Sequence, residues 1–249
     1  YRKSVAVTRA GVQQLELDLE TLAHADATLR DVRLVRDGKQ RPFILERPSL
    51  TRKLTPAVTT ANDPKRPSVS RWLLKLPQRR LPLTRLTCTT RTPLFRRALR
   101  LFEQPTDERG EKYDRPLGEA TWVRTPPVSP AALVLPMTAP MTDMLILETD
   151  NGDNAPLELD NFQCWYPVTR LLFKSPVEPA TFLYYGNPAA GFPQYDLDLI
   201  APRLLAEEKS VATLGAEEAL RKSGVGEWFA RAGTKSNLFW GAVGVAVVV

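Results

Sequence analysis

The chain of 249 residues holds one histidine and two cysteines, which excludes a transition-metal site built from His and Cys and a disulfide-dense scaffold. Proline, at 22, outnumbers glycine, at 13, and the prolines punctuate short apolar runs, the pattern of many strands joined by turns. The net charge of +6 conceals an asymmetry: residues 1–100 carry 22 Lys and Arg against 8 Asp and Glu, and residues 101–249 carry 12 against 20.

Opposed fields on two parts of one chain suit either internal complementarity or two surfaces with different partners, anionic lipid and acidic polymers among them. The basic residues are dispersed along strand-like segments (Arg30, Arg33, Arg36, Lys39, Arg41), without a recognition helix or finger pattern, so nucleic acid is not an expected partner.

Taken in chain order, VQQLELDL (12–19) alternates Leu15, Leu17 and Leu19 with polar residues, the period of a half-buried strand. Two apolar runs then flank Asp37-Gly38, a dipeptide that predicts a tight hairpin because both positions accept positive φ. Residues 48–69 lack periodicity and read as an exposed connection. From Ser70 strands resume: SRWLLKLP, LTRLTCTT, FRRALRLFEQ, GEATWVRT, AALVLP and MLILETD, the last apolar on both faces like a central sandwich strand. NFQCWY, TRLLFK and TFLYY add three more. The chain is therefore expected to be mainly β, with a sandwich at its centre. The early hairpin (31–45) and the late strands (169–185) flank the block 70–165 and are expected to pair with each other.

Beyond Pro193 the composition turns Ala/Leu/Glu-rich. Residues 196–236 are read as a short helical segment, with Pro202 in a first helical turn and Gly215 dividing the segment into a pair of helices. The closing run LFWGAVGVAVVV, within 237–249, is read as the start of a transmembrane helix cut short, since a full span takes roughly 20 apolar residues. Phe239 and Trp240 stand where interfacial aromatic rings collect. A buried helix or strand is the other reading of that run. The domain organisation that follows is an outer β-hairpin region over 1–60, completed by 166–195, a β-sandwich over 68–165, the helical juxtamembrane linker over 196–236 and the membrane segment.

Few residues offer chemistry. His24, the single histidine, lies in a polar connection with no nucleophile motif beside it, so it reads as a loop or helix-end histidine. Asp150, Asn151, Asp153 and Asn154 are candidate ligands for calcium or another molecule, with Asp160 and Asn161 as further oxygens; the same residues make a tight turn after a strand. Trp165, Tyr184 and Tyr185 are candidates for stacking on a sugar ring, and equally candidates for core and rim positions. Cys88 and Cys164 permit one disulfide, worth roughly 4 kcal/mol at that loop length, or two buried thiols. No confident metal site and no catalytic residue emerge, although a carboxylate pair for hydrolysis needs only to meet in space.

Four segments occur together: LRDVRLVRDGKQRPFIL, LPLTRLTCTTRTPLFRRALRLFEQ, TDNGDNAPLELDNFQ and FLYYGNPAAGFPQYDLDLIA. In this order they resemble an uncharacterised bacterial family of exported proteins with a discoidin-like (galactose-binding-like) β-sandwich and one C-terminal membrane helix. The likeness covers roughly residues 12–200 and continues to the terminal run. It implies a jelly-roll-type sandwich held in the periplasm at the inner membrane. The loop PTDERGEKYDRPLG departs from the Ser-Asp-Asp-Gly-type turn and Trp of discoidin-like domains. The expected function is that of a non-catalytic, membrane-anchored accessory or interaction subunit of an inner-membrane complex. Its expected partners are a polytopic membrane protein and the bilayer. The alternatives are a carbohydrate-binding module for an envelope polysaccharide and a hydrolase of unknown substrate.

Overall fold

The computed structural model describes residues 1–125, 132–195, 197 and 201–220. In chain order its elements are β1 (Arg2–Ala6), β2 (Gly11–Glu16), α1 (Leu19–His24), β3 (Arg33–Arg36), β4 (Lys39–Arg41), β5 (Ile44–Glu46), β6 (Thr51–Leu54), β7 (Ala57–Thr60), β8 (Val69–Lys75) and β9 (Arg85–Thr90). There follow β10 (Phe95–Glu103), β11 (Arg115–Arg124), β12 (Leu133–Pro136), β13 (Met144–Asp150), β14 (Leu159–Pro167), β15 (Arg170–Ser175), β16 (Thr181–Tyr184), α2 (Ala201–Ala206) and β17 (Lys209–Glu218). The protein is mainly β, and it divides into two compact units.

The first unit comprises Tyr1–Leu15, His24–Ile44 and the described residues from Leu171 on. Its strands are ordered β4-β3-β16-β1-β17-β2-β15 in one sheet. The hairpin at Asp37-Gly38 is a two-residue connection with both residues at positive φ, 52° and 67°, and Arg36 faces Lys39 across it. The late strand β16 lies antiparallel to β3, pairing Leu183 with Leu34, and on its other side to β1.

The Ala/Leu/Glu-rich stretch corrects the helical expectation. Among the described residues of this stretch only Ala201–Ala206 is helical, whereas Lys209–Glu218 forms β17 in the interior of the sheet, antiparallel to β1 and parallel to β2; residues 221–236 lie outside the described residues. Helix propensity is worth tenths of a kilocalorie per residue, and hydrogen-bonded neighbours on both sides override it. Gly215, expected to separate a pair of helices, instead lets β17 pass Ser4, because a Cβ there would collide with the Ser4 hydroxyl.

The second unit comprises Glu16–Ala23 and Leu45–Arg170. It holds a five-stranded sheet, β11-β10-β13-β8-β7, and a four-stranded one, β12-β9-β14-β6. One hydrophobic cluster lies between them. Trp72, Leu74, Leu99, Leu101, Leu145 and Leu147 enter it from the first sheet; Leu54, Leu86, Cys88, Leu135, Phe162 and Cys164 enter from the second. Alternation along each strand delivers these residues inward, the arrangement of a two-sheet sandwich. β13, apolar on both faces, is the central strand of five, with Ile146 as well as Leu145 and Leu147 buried.

Residues 48–69 also differ from the expected open connection. They contain β6, an edge strand of the four-stranded sheet, and β7, an edge strand of the five-stranded sheet, so this segment crosses from one layer to the other. Such short edges bury little; β6 buries only Leu54, which leaves no period to read.

No helix of the described residues is long and apolar enough to cross a membrane. Leu238–Val249, with Phe239 and Trp240, lies outside the described residues.

Candidate functional site

The four-stranded sheet turns one row of side chains into the sandwich and the next row out. Leu135, Leu86, Cys164 and Leu54 stand opposite one another on β12, β9, β14 and β6 and are all buried. One residue along, the same register sets Pro136, Arg85, Trp165 and Lys53 in a row across the outward face. A second outward row carries Val134, Thr87 and Gln163.

Within this face the Arg85 guanidinium carbon sits 4.7 Å from the centre of the Trp165 ring, the geometry of a cation held over a π-face. Trp165 Nε1 donates to Thr87 Oγ1 at 2.9 Å, which fixes the indole, and Thr87 Oγ1 in turn donates to the Gln163 carbonyl at 3.4 Å. Arg85 Nη2 reaches over the indole to Thr51 Oγ1 at 3.5 Å, a contact too long to consume the guanidinium. Asn161 Nδ2 donates to Thr89 Oγ1 at 3.0 Å farther along.

Among the described residues neither Arg85 nor Lys53 has a carboxylate within ion-pair distance, whereas Arg52, Arg71, Arg100, Arg115 and Arg170 each have a glutamate. Two uncompensated cations therefore flank an immobilised indole on an open sheet face lined with hydroxyl and amide groups. An arginine stacked on an aromatic ring keeps its edge N–H groups for carboxylate or phosphate, and the stacking orders it before any ligand arrives.

The remaining candidates fall elsewhere. Tyr184 and Tyr185 do not form a paired platform, because successive residues of an extended strand project to opposite faces. Tyr184 meets the Arg2 side chain. Tyr185 is buried, stacks on Tyr1 at 5.9 Å and donates its hydroxyl to Glu217 Oε2 at 2.6 Å. The same Glu217 oxygen lies 2.9 Å from His24 Nδ1, and the His24 ring stacks on Tyr1 at 4.3 Å. His24 thus closes α1 as a packed histidine within the first unit.

Asp150, Asn151, Asp153 and Asn154 form a turn that follows β13. Asp150 Oδ1 accepts from the Gly152 amide at 2.9 Å; this bond, with the Ser68 hydroxyl, holds its carboxyl below the ordinary value. Asn151 is turned inward, its Nδ2 donating to the Ser68 carbonyl at 3.0 Å and to Ser70 Oγ at 2.8 Å; its Oδ1 accepts no hydrogen bond. Asn154 Nδ2 donates to the Asn151 carbonyl at 3.1 Å. Among the described residues no three His, Cys, Asp or Glu side chains converge as a metal site would require.

Cys88 and Cys164 are both fully buried and free, which corrects the disulfide reading. Leu86, not Cys88, stands opposite Cys164, so the two cysteines are diagonal across adjacent strands. Diagonal neighbours lie about 7–8 Å apart, beyond the reach of a disulfide. Burial pushes both thiols up to about 12.

Elsewhere on the second unit an open depression of about 580 Å³ lies beside β10 and β11, lined by Arg100, Phe102, Asp114 and Glu119 among others. Arg100 is already matched there by Glu148, with Asp114 at 3.8 Å. Arg85 and Lys53 are the residues of the outward face that sequence reasoning missed. Each sits in a strand, but their convergence on Trp165 depends on pairings between segments about 80 and 110 residues apart in the chain.

Compared with protein-family models, with curated proteins and with solved structures, the chain matches none.

Proposed function

We propose that this protein is a non-catalytic binding subunit of an inner-membrane assembly, with a discoidin-like sandwich standing in the periplasm. The single observation that carries the binding role is the outward face on which Arg85 and Lys53 flank Trp165 with no carboxylate to answer them among the described residues. A sheet face of this kind binds by surface complementarity and positions no reacting group. The apolar run closing the sequence, with Phe239 and Trp240 at its mouth, supports tethering to a bilayer and contact with a polytopic membrane protein.

Purification of the full chain from its own membranes in mild detergent tests the subunit role. A second membrane protein in stoichiometric amount is the expected result. A homogeneous monomer that retains no partner would overturn it.

A further inference from the structure

We infer that the Arg85–Trp165–Lys53 face binds an anionic polysaccharide, a hydroxyl-rich chain bearing carboxylate or phosphate groups. This deepens the reading of that face as a binding surface and depends on it.

The charges come first. Arg85 and Lys53 extend from β9 and β6, which are separated by β14, so their backbones stand about 10 Å apart in a register that places Trp165 between them. Cations so spaced engage separate acidic groups of an extended polymer rather than one small anion. The rest of the face suits the sugar body. Thr51, Thr89 and Gln163 offer hydroxyl and amide groups beside the cations, and Val134, 46% exposed, offers an apolar surface to the C–H face of a pyranose ring, while the buried Thr87 hydroxyl serves to fix the indole.

Other anionic polymers fit less well. Single-stranded nucleic acid is gripped by stacking bases on free aromatic rings, and here Arg85 occupies the Trp165 ring. A peptide adding as a strand would pair along the open edge of β6 or β12 and would leave Trp165 and Arg85 uncovered, because β14 and β9, which carry them, are interior strands already paired on both sides.

The experiment measures binding of the full chain in mild detergent to polygalacturonate, with dextran as the neutral polymer. Arg85→Gln, Lys53→Gln and their double variant are compared with Arg96→Gln, which removes an exposed cation from the other sheet. Polygalacturonate is expected to bind, dextran to bind at least about tenfold more weakly, and the double variant to lose about tenfold or more while Arg96→Gln binds like wild type. Added salt weakens the interaction. Unchanged near-ultraviolet circular dichroism shows that the double variant is folded; if that spectrum collapses, the two single variants carry the comparison.

Equal affinity for dextran, equal affinity of the folded variants, or no binding of polygalacturonate overturns the inference. So does tighter binding to oligothymidylate or to vesicles containing phosphatidylglycerol. Co-purification of a membrane partner is a separate readout that does not depend on added polymer. A retained partner without polygalacturonate binding sinks the polysaccharide inference and leaves the subunit role standing.

Discussion

Arg71 holds Glu148 by two hydrogen bonds to one carboxylate oxygen, from Nε at 3.0 Å and Nη2 at 2.6 Å to Oε1. Arg100 takes the other oxygen, Oε2, through Nε at 2.8 Å and Nη2 at 2.5 Å, and Arg66 adds a longer contact to Oε1 at 3.4 Å. The register sets these partners side by side, Arg71 on β8, Glu148 on β13 and Arg100 on β10. Glu148 is only 2% exposed, so its charge is stable there because the guanidinium forks satisfy both oxygens.

Glu148→Gln leaves the guanidiniums facing a neutral amide and is expected to destabilise the second unit by about 1.5–3 kcal/mol, the worth of hydrogen bonds to a charged group. Urea unfolding followed by fluorescence measures it. A loss no larger than that of Glu119→Gln, which changes an exposed residue on β11, two strands away from β13, would show that the cluster contributes little.

Acid should destabilise the same unit. Burial pushes Glu148 up, but hydrogen bonds from Arg71 and Arg100 pull it further down, to a net value below the ordinary one. Glu103, fully buried, follows the same pattern: burial raises it, and the amides of Met141 and Thr142, the Thr142 hydroxyl and Arg115 lower it further. A carboxyl with a depressed folded pKa contributes stability that is complete above its unfolded value, about 4.3, and is lost as pH falls through the folded one. Unfolding midpoints measured down to pH 3 should therefore be level near neutrality and drop below pH 4.3, with a shallower drop in Glu103→Gln.

The thiols should be inert while the protein is folded. Cys88 and Cys164, pushed up to about 12 and sealed in the sandwich core, present almost no thiolate at neutral pH. Mass spectrometry after iodoacetamide is expected to show no adduct in buffer and two in denaturant. Prior reduction should change neither count.

Gly215→Ala tests the placement of β17 beside β1. The added Cβ meets the Ser4 hydroxyl, which must turn to another rotamer, a displacement worth about 0.5–1.5 kcal/mol. Ser4→Ala removes the obstructing oxygen, so the double variant should recover most of the loss in a double-mutant cycle of thermal midpoints. Additive losses would place the strain elsewhere.

Local patterns in the sequence determined a good deal on their own. Alternating apolar residues announced most of the sandwich strands, and Asp37-Gly38 announced its hairpin, because side-chain period and φ preference are local properties. Tertiary structure alone decided the rest. Lys209–Glu218 is a strand because β1 and β2 hydrogen-bond it from both sides, against its composition. Asn151 faces inward because Ser68 and Ser70 receive it, Cys88 misses Cys164 by two residues of register, and Arg85 covers Trp165 because β9 and β14 align them. Each of these outcomes depends on which distant strand lies alongside and in what register, and pairing energy is spread over whole strands without marking any single residue.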